Sequence, residues 1–406
     1  MEYSTFVLPN GIRCIYQSRE SPTVHVGLWI GAGSRDESSD KEGLAHFIEH
    51  ALFKGTKRRK AYHILNRLDT VGAELNAFTT KEETCIHASC MNHDFSRSLE
   101  LLHDMAFNST FPEKELEKEK SVIVEEIQSN LDSPYDQIFD EFESLLFGEH
   151  QLGGTILGTD TTVTQIDRSD IQQFTDSRYL TDHMVISVVG GLRPKRIEQG
   201  IKKHFGSIPK RTGEMGRVHP RRNKPFNITR TIQTHQAHCI LGNHAYSTTD
   251  SRKMGLVLLN NVLGGPTMNN RLSLELREKR GLAYHVESMY TAYSDAGIWM
   301  IYIGTEKQNL SKAQKWILEE LNKLMQEPLG TRQLSMAKKQ LKGQIALNQE
   351  NGANVMLSIG KALLKQGEAR SMEQISSIID AITSEELQAI AQDLFKADEL
   401  SYLTYL

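Results

Sequence analysis

The chain has 406 residues and a mass of 45.9 kDa, beyond the roughly 250 to 300 residues at which a single hydrophobic core stops growing, so two or more domains are expected. With 39% apolar and 24% charged residues, it resembles soluble globular proteins rather than disordered, collagen-like or membrane-spanning ones. Forty-seven basic against fifty-one acidic side chains leave a net charge of −4. No global cationic field therefore points to nucleic acid or an anionic membrane, and partners must be argued from local sites.

The opening Met-Glu-Tyr-Ser-Thr-Phe shows neither a signal peptide nor an Arg-rich transit peptide, and no apolar run approaches the roughly 18 residues of a membrane span. Cys14, Cys85, Cys90 and Cys239 form no CxxC pair and are too sparse for a disulfide framework, so reduced thiols and a cytoplasmic setting are expected.

Strands are predicted at Phe6–Leu8, Ile12–Tyr16 and Val24–Ile30. A helix follows in which Leu44, Phe47, Ile48, Ala51 and Leu52 share one face, with Ser38, Ser39 and Asp40 as capping candidates. Residues 61–68 read as helical, Leu75–Phe78 and Thr84–Ala88 as paired strands. A highly charged helix runs from Pro112 to about Asn130, and Met184–Val189 forms another apolar strand. Between Lys202 and Lys224 basic residues and prolines accumulate against the single acid Glu214, which reads as a solvated linker, since interleaved aromatics are missing. Beyond it the grammar repeats: a strand at Ala237–Gly242, a helix at Met254–Leu263, strands at Tyr284–Tyr293 and Trp299–Gly304, then long helices to the end. The prediction is an α+β class with helices segregated onto antiparallel-rich sheets. The division is a catalytic domain 1–210, a linker 211–226 and a homologous domain 227–406, the order of elements suggesting duplication.

The first helix carries His46-Phe47-Ile48-Glu49-His50. Residues four apart share a helix face, so His46 and His50 can offer imidazole nitrogens to one ion while Glu49 projects beside them. A catalytic zinc needs a third protein ligand and an open position. On the charged helix, Glu119 and Glu126 both lie near the apolar stripe Leu116, Ile123 and Ile127, two turns apart. Glu125 lies about 100° away from Glu126 and has a weaker claim. A competing cluster, His235, His238, Cys239 and His244, falls on a predicted strand where His235 and His238 point to opposite faces.

The segment Gly43-Leu44-Ala45-His46-Phe47-Ile48-Glu49-His50-Ala51-Leu52-Phe53-Lys54-Gly55-Thr56 resembles the inverted zinc motif of the pitrilysin and insulinase peptidase family, most closely its mitochondrial-processing-peptidase branch. The resemblance places the third ligand 76 residues beyond His50, at Glu126, and an acidic residue behind the ligands at Glu119. Leu75-Asn76-Ala77-Phe78-Thr79 looks like the family's substrate-binding edge strand. Arg277-Glu278-Lys279-Arg280-Gly281-Leu282-Ala283-Tyr284 is similar to the segment whose arginine and tyrosine complete the active site.

The resemblance implies two homologous α+β domains of the mitochondrial-processing-peptidase type, forming half of a clamshell that a second chain completes. A homodimer, or a heterodimer with a related chain, is expected. One zinc ion per chain would be held by His46, His50 and Glu126, with Glu49 as general base and Glu119 orienting a ligand histidine or the water network. Asn76, Ala77 and Phe78 would hold a peptide substrate as an added strand, and Arg277 and Tyr284 would hold its carbonyls or the oxyanion. The expected activity is that of a zinc endopeptidase acting on peptides or short unfolded segments. A non-catalytic or partner subunit of a heteromeric processing peptidase is the alternative, disfavoured by retention of all three ligands and the base.

Overall fold

The computed structural model describes residues 3–406, which form two compact units. Each is α+β, as the sequence predicts. The first comprises residues up to Gln128, with Gly154–Val218 and Leu347–Ser371; the second comprises Ser129–Gly153, His219–Ala346 and Met372–Leu406.

The first unit is built on strands β1 (Ser4–Val7), β2 (Arg13–Ser18), β3 (Thr23–Ile30), β4 (Glu74–Thr79), β5 (Thr84–Met91) and β6 (Met184–Gly190), in the spatial order β1-β2-β6-β3-β5-β4. Only β2 and β6 run parallel. Along β3, Val24, Val26, Leu28 and Ile30 face a core beneath helices α1 (Leu44–Ala51), α2 (Ala61–Asp69), α3 (Phe95–Asn108) and α4 (Glu113–Leu131), while Trp29 faces the other side. This alternation is the two-residue period of a strand covered on both faces.

The cover on the Trp29 side is the helix Gly352–Gln366, whose Val355, Met356, Ile359 and Leu363 pack on Trp29, Val185 and Val189. Burying each such side chain contributes about 1.5 to 3 kcal/mol. Gly360 permits the approach, since a Cβ there would stand 2.1 Å from the Trp29 Nε1, which itself donates to Ser187 Oγ at 3.0 Å.

The second unit holds β7 (Asn227–Arg230), β8 (Ala237–Ala245), β9 (His285–Ala292), β10 (Gly297–Thr305) and β11 (Ser401–Tyr405), ordered β7-β11-β8-β10-β9. Only β7 and β11 run parallel. Taken in chain order, these five repeat the pattern of β2 through β6, neighbour for neighbour and direction for direction. Helix α5 (Pro134–Phe147) covers one face through Ile138, Phe142 and Leu146, spaced i, i+4 and i+8.

Four expectations are corrected. Residues 129–153 and 347–371 lie in the opposite units from those assigned by the domain division 1–210 and 227–406, because their apolar stripes seat on the other sheet. The chain ends in a strand, β11, and not in helix. Ser38, Ser39 and Asp40 do not cap α1, whose N-cap is Gly43. The basic stretch is not wholly solvated: Arg217 binds Asp36 Oδ2 at 2.7 Å and the carbonyl oxygens of Gly31 and Glu82. Among the described residues no helix is long and apolar enough to cross a membrane.

Candidate metal centre

Helix α1 buries Leu44, Phe47, Ile48 and Ala51 in the core, which turns His46 and His50 together to the other side. Their rings lie 4.6 Å apart, edge to face. The helix start is fixed from upstream: the carboxyl of Glu37, whose pKa burial pushes well above its ordinary range, accepts N–H groups from Gly43 at 2.9 Å and Ala45 at 2.6 Å, a cap supplied from before the turn that precedes the helix.

Helix α4 buries Leu116, Ile123 and Ile127, so Glu119 and Glu126 project beside that stripe about 10 Å apart along the axis. The ring of His50 stands between them. Its Nδ1 meets Glu119 Oε1 at 2.8 Å and its Nε2 lies 3.6 Å from Glu126 Oε2. His46 Nε2 lies 3.8 Å from the same oxygen. Lys54 Nζ donates to the second Glu119 oxygen at 2.5 Å.

One donor atom each from His46, His50 and Glu126 lies within 4.8 Å of the others, and among the described residues this is the one group of its kind. Separations of 3.6 and 3.8 Å are too long for hydrogen bonds. They approach the roughly 3.3 Å between ligands bound about 2.05 Å from a tetrahedral ion. Buried Nδ1 of His46 has no hydrogen-bond partner, and Glu126 remains accessible. Two imidazoles and a carboxylate suit zinc, and three protein ligands are the number found where the ion keeps a position for water.

Electrostatics prepare the donors. Burial, with the neighbouring His50, pushes the His46 pKa down to about 4, so its ring is neutral at pH 7. For His50, burial is outweighed by the Glu119 hydrogen bond and surrounding carboxylates, and its pKa rises. Burial acts on Glu119 too, but hydrogen bonds from His50 and Lys54 outweigh it and hold this carboxyl below its ordinary range. Glu49 is raised, chiefly by burial, against a side-chain hydrogen bond with Thr79.

That bond brings Glu49 to the end of β4, an edge strand paired only with β5. Asn76 is exposed, and its Oδ1 accepts the Ala77 N–H at 2.8 Å. The Phe78 ring packs edge-on against Trp29, 5.7 Å away, so it faces the covered side of the sheet. Sequence reasoning missed Glu37, Lys54 and Thr79. Lys54 carried a signal, continuing the series His46, His50 at the same four-residue step.

Arg277 and Tyr284 belong to the second unit. Arg277 sits on a π-helical turn, Ser273–Glu278, closed by the bond from Lys279 N–H to Leu274 O, a geometry frequent at functional sites. Tyr284 is 81% exposed and donates its backbone N–H to Gly304 O. In this unit the place of α1, between the second and third strands of the repeated pattern, is taken by the helix Lys253–Gly264, which carries no His, Glu or Asp. His235 precedes β8, contrary to the strand expected there, and His238 bonds the Tyr302 hydroxyl at 2.8 Å.

A mixed-sheet α+β unit bearing an H-x-x-E-H helix, a glutamate-bearing helix beside it and a second unit that repeats the fold without the ligands defines an inverzincin-type architecture. Residues 13–160 match the family described as Insulinase (Peptidase family M16), and residues 165–341 match the Peptidase M16 inactive domain. The chain is 36% identical to the uncharacterized zinc protease YmxG of Bacillus subtilis (strain 168), over 97% of its length and 96% of the relative's. An uncharacterized zinc protease of Streptomyces coelicolor is 32% identical over 95% of this chain and 86% of its own. The chain thus belongs to the M16 peptidase family, also called the pitrilysin or insulinase family. In fold it is similar to a protease from Helicobacter pylori (TM-score 0.91, 21% identity, 100% of this chain and 99% of that one). A peptidase M16 inactive domain from Pseudomonas fluorescens gives a TM-score of 0.93 at 19% identity, over 100% and 98% of the two chains.

Proposed function

We propose that this chain is a zinc-dependent endopeptidase that hydrolyses peptides or short unfolded segments. The observation that carries the reading is the convergence of His46, His50 and Glu126 beside Glu49, which reaches the end of edge strand β4. The names of the relatives, zinc proteases, support it.

Zinc held by His46, His50 and Glu126, one ion per chain, would supply Lewis-acid polarisation of water and of the scissile carbonyl. Glu49 takes the proton of the attacking water and hands it to the leaving amine, a role that its burial-raised pKa suits. Glu119 Oε1 accepts a hydrogen bond from the His50 Nδ1–H, fixing the tautomer that leaves Nε2 unprotonated. The free edge of β4 receives the substrate backbone as an added strand, with Asn76, Ala77 and Phe78 along it, so affinity comes from main-chain hydrogen bonds and preference from side-chain pockets. Arg277 and Tyr284 hold substrate carbonyls or the oxyanion. In a homodimer closing around a chamber, these two come from the partner chain.

The test is a zinc titration of the purified chain against an internally quenched peptide. Cleavage that rises to saturation at one zinc per chain is expected. Zinc uptake without cleavage of any peptide in a broad library would overturn the reading in favour of a non-catalytic subunit.

A further inference from the structure

Helices α1 and α4, which carry the three metal-ligating side chains, are held in register by a charged side chain that the peptidase reading leaves without a role. Lys54 follows α1 by one turn, four residues after His50 and eight after His46. Its ammonium reaches Glu119 Oε2 at 2.5 Å while His50 Nδ1 meets Oε1 at 2.8 Å, so the carboxylate is gripped at both oxygens. Glu119 is 5% exposed. A carboxylate so buried with a single partner would be costly to keep in place, and the ammonium offsets that cost.

The backbone that carries Lys54 is itself anchored. Thr56 Oγ1 donates to Asp104 Oδ2 at 2.8 Å, and Arg59 binds the same oxygen at 2.5 Å and Glu100 Oε1 at 2.7 Å, fastening the loop to α3. Gly55, at φ +155°, lies so close to the residue before α4 that a Cβ would stand 3.3 Å from Pro112 Cγ. The loop is thereby pressed against the start of the helix that Lys54 reaches across to.

We propose that Lys54 is a positioning residue of the metal centre, acting through Glu119 on the orientation of His50. This rests on the zinc-peptidase reading. With the ammonium removed, Glu119 keeps one partner, its carboxylate plane is free to turn, and the imidazole it orients turns with it. Groups that orient metal ligands in this way are worth about 10- to 100-fold in metal affinity.

The experiment measures zinc dissociation constants of the full chain by competition with a chromophoric chelator, for the parent, K54M and K54R, and for K54M in an E119Q background. Heat melts of each metal-free protein accompany it. We expect the parent to bind one zinc and K54M to bind it about tenfold or more weakly, measured at a temperature where the metal-free variant is folded, although its melt falls below the parent's because buried Glu119 loses a partner. K54R should recover most of the affinity. In the E119Q background K54M should add less than about twofold, because Lys54 works through that carboxylate. An unchanged affinity in K54M, or an equal loss with and without Glu119, overturns the inference while leaving the peptidase reading intact. A parent chain that binds no zinc overturns the peptidase reading itself. Should K54M not fold, K54Q takes its place in the same comparison.

Discussion

Glu37 reaches eight residues forward to Ala45, its Oε1 accepting the backbone N–H there at 2.6 Å while Oε2 takes that of Gly43. His46 is the next residue. The placement of the helix that carries His46 and His50 therefore depends on a side chain that bonds only its backbone.

Glu37→Ala removes both acceptors and leaves a buried gap. Loss of a cap costs about 0.5 to 2 kcal/mol, so urea unfolding of the metal-free protein should show a destabilisation of about that size. A midpoint equal to the parent's would show that the helix start is held by other contacts.

Glu49→Gln should keep zinc and lose at least about a hundredfold in rate, the usual scale of general-base catalysis. It carries a second signature. The folded pKa of Glu49 lies above its ordinary value because of burial, so the fold favours the protonated carboxyl. Its contribution to stability is fully present below the unfolded pKa and is lost as pH rises through the folded one. Metal-free Glu49→Gln should accordingly melt higher than the parent at pH 7 and alike at pH 4. A lower melt at pH 7 would contradict the buried placement.

Glu126 rather than Glu125 faces both imidazoles. Glu126→Gln should lose zinc, measured by metal analysis after dialysis, together with activity; Glu125→Gln should keep most of both. The reverse outcome would mean a rotation of α4 by about one residue.

Mixing Glu49→Gln with Tyr284→Phe, each impaired alone, should restore part of the activity if the partner chain supplies Arg277 and Tyr284. A mixed dimer then holds one complete site. Demonstrated subunit exchange without recovery would leave those residues working within their own chain or not at all.

Much of this was legible in the chain because helices and strands have fixed periods. The stripe from Leu44 to Ala51 announced a buried helix and put both histidines on one face, and the seven-residue step between Glu119 and Glu126 placed them on one side of α4. What stayed hidden was the identity of partners. Ile138, Phe142 and Leu146, or Val355, Ile359 and Leu363, declare a buried face but not which sheet will bury it. Ser401–Tyr405 is too short, after so many helices, to stand out as a strand. Glu37 carried no local signal at all, since its partners lie beyond a turn.

The helices α5 and Gly352–Gln366 each occupy a unit built mainly from the other half of the chain, and this sets an order of events at the ribosome. The six strands of the first sheet have all been made by Gly190, yet the side around Trp29, Val185 and Val189 stays bare until Gln366 emerges. Helix α5, finished at Phe147, waits still longer, for its seat includes Leu403 and Tyr405 among the last residues synthesised. Dividing the gene between Val218 and His219 would therefore yield two products, each with a sheet stripped of one cover and a helix with nowhere to lie. Neither could complete its core alone, and co-expression, not refolding of either piece, would be the route to an intact molecule.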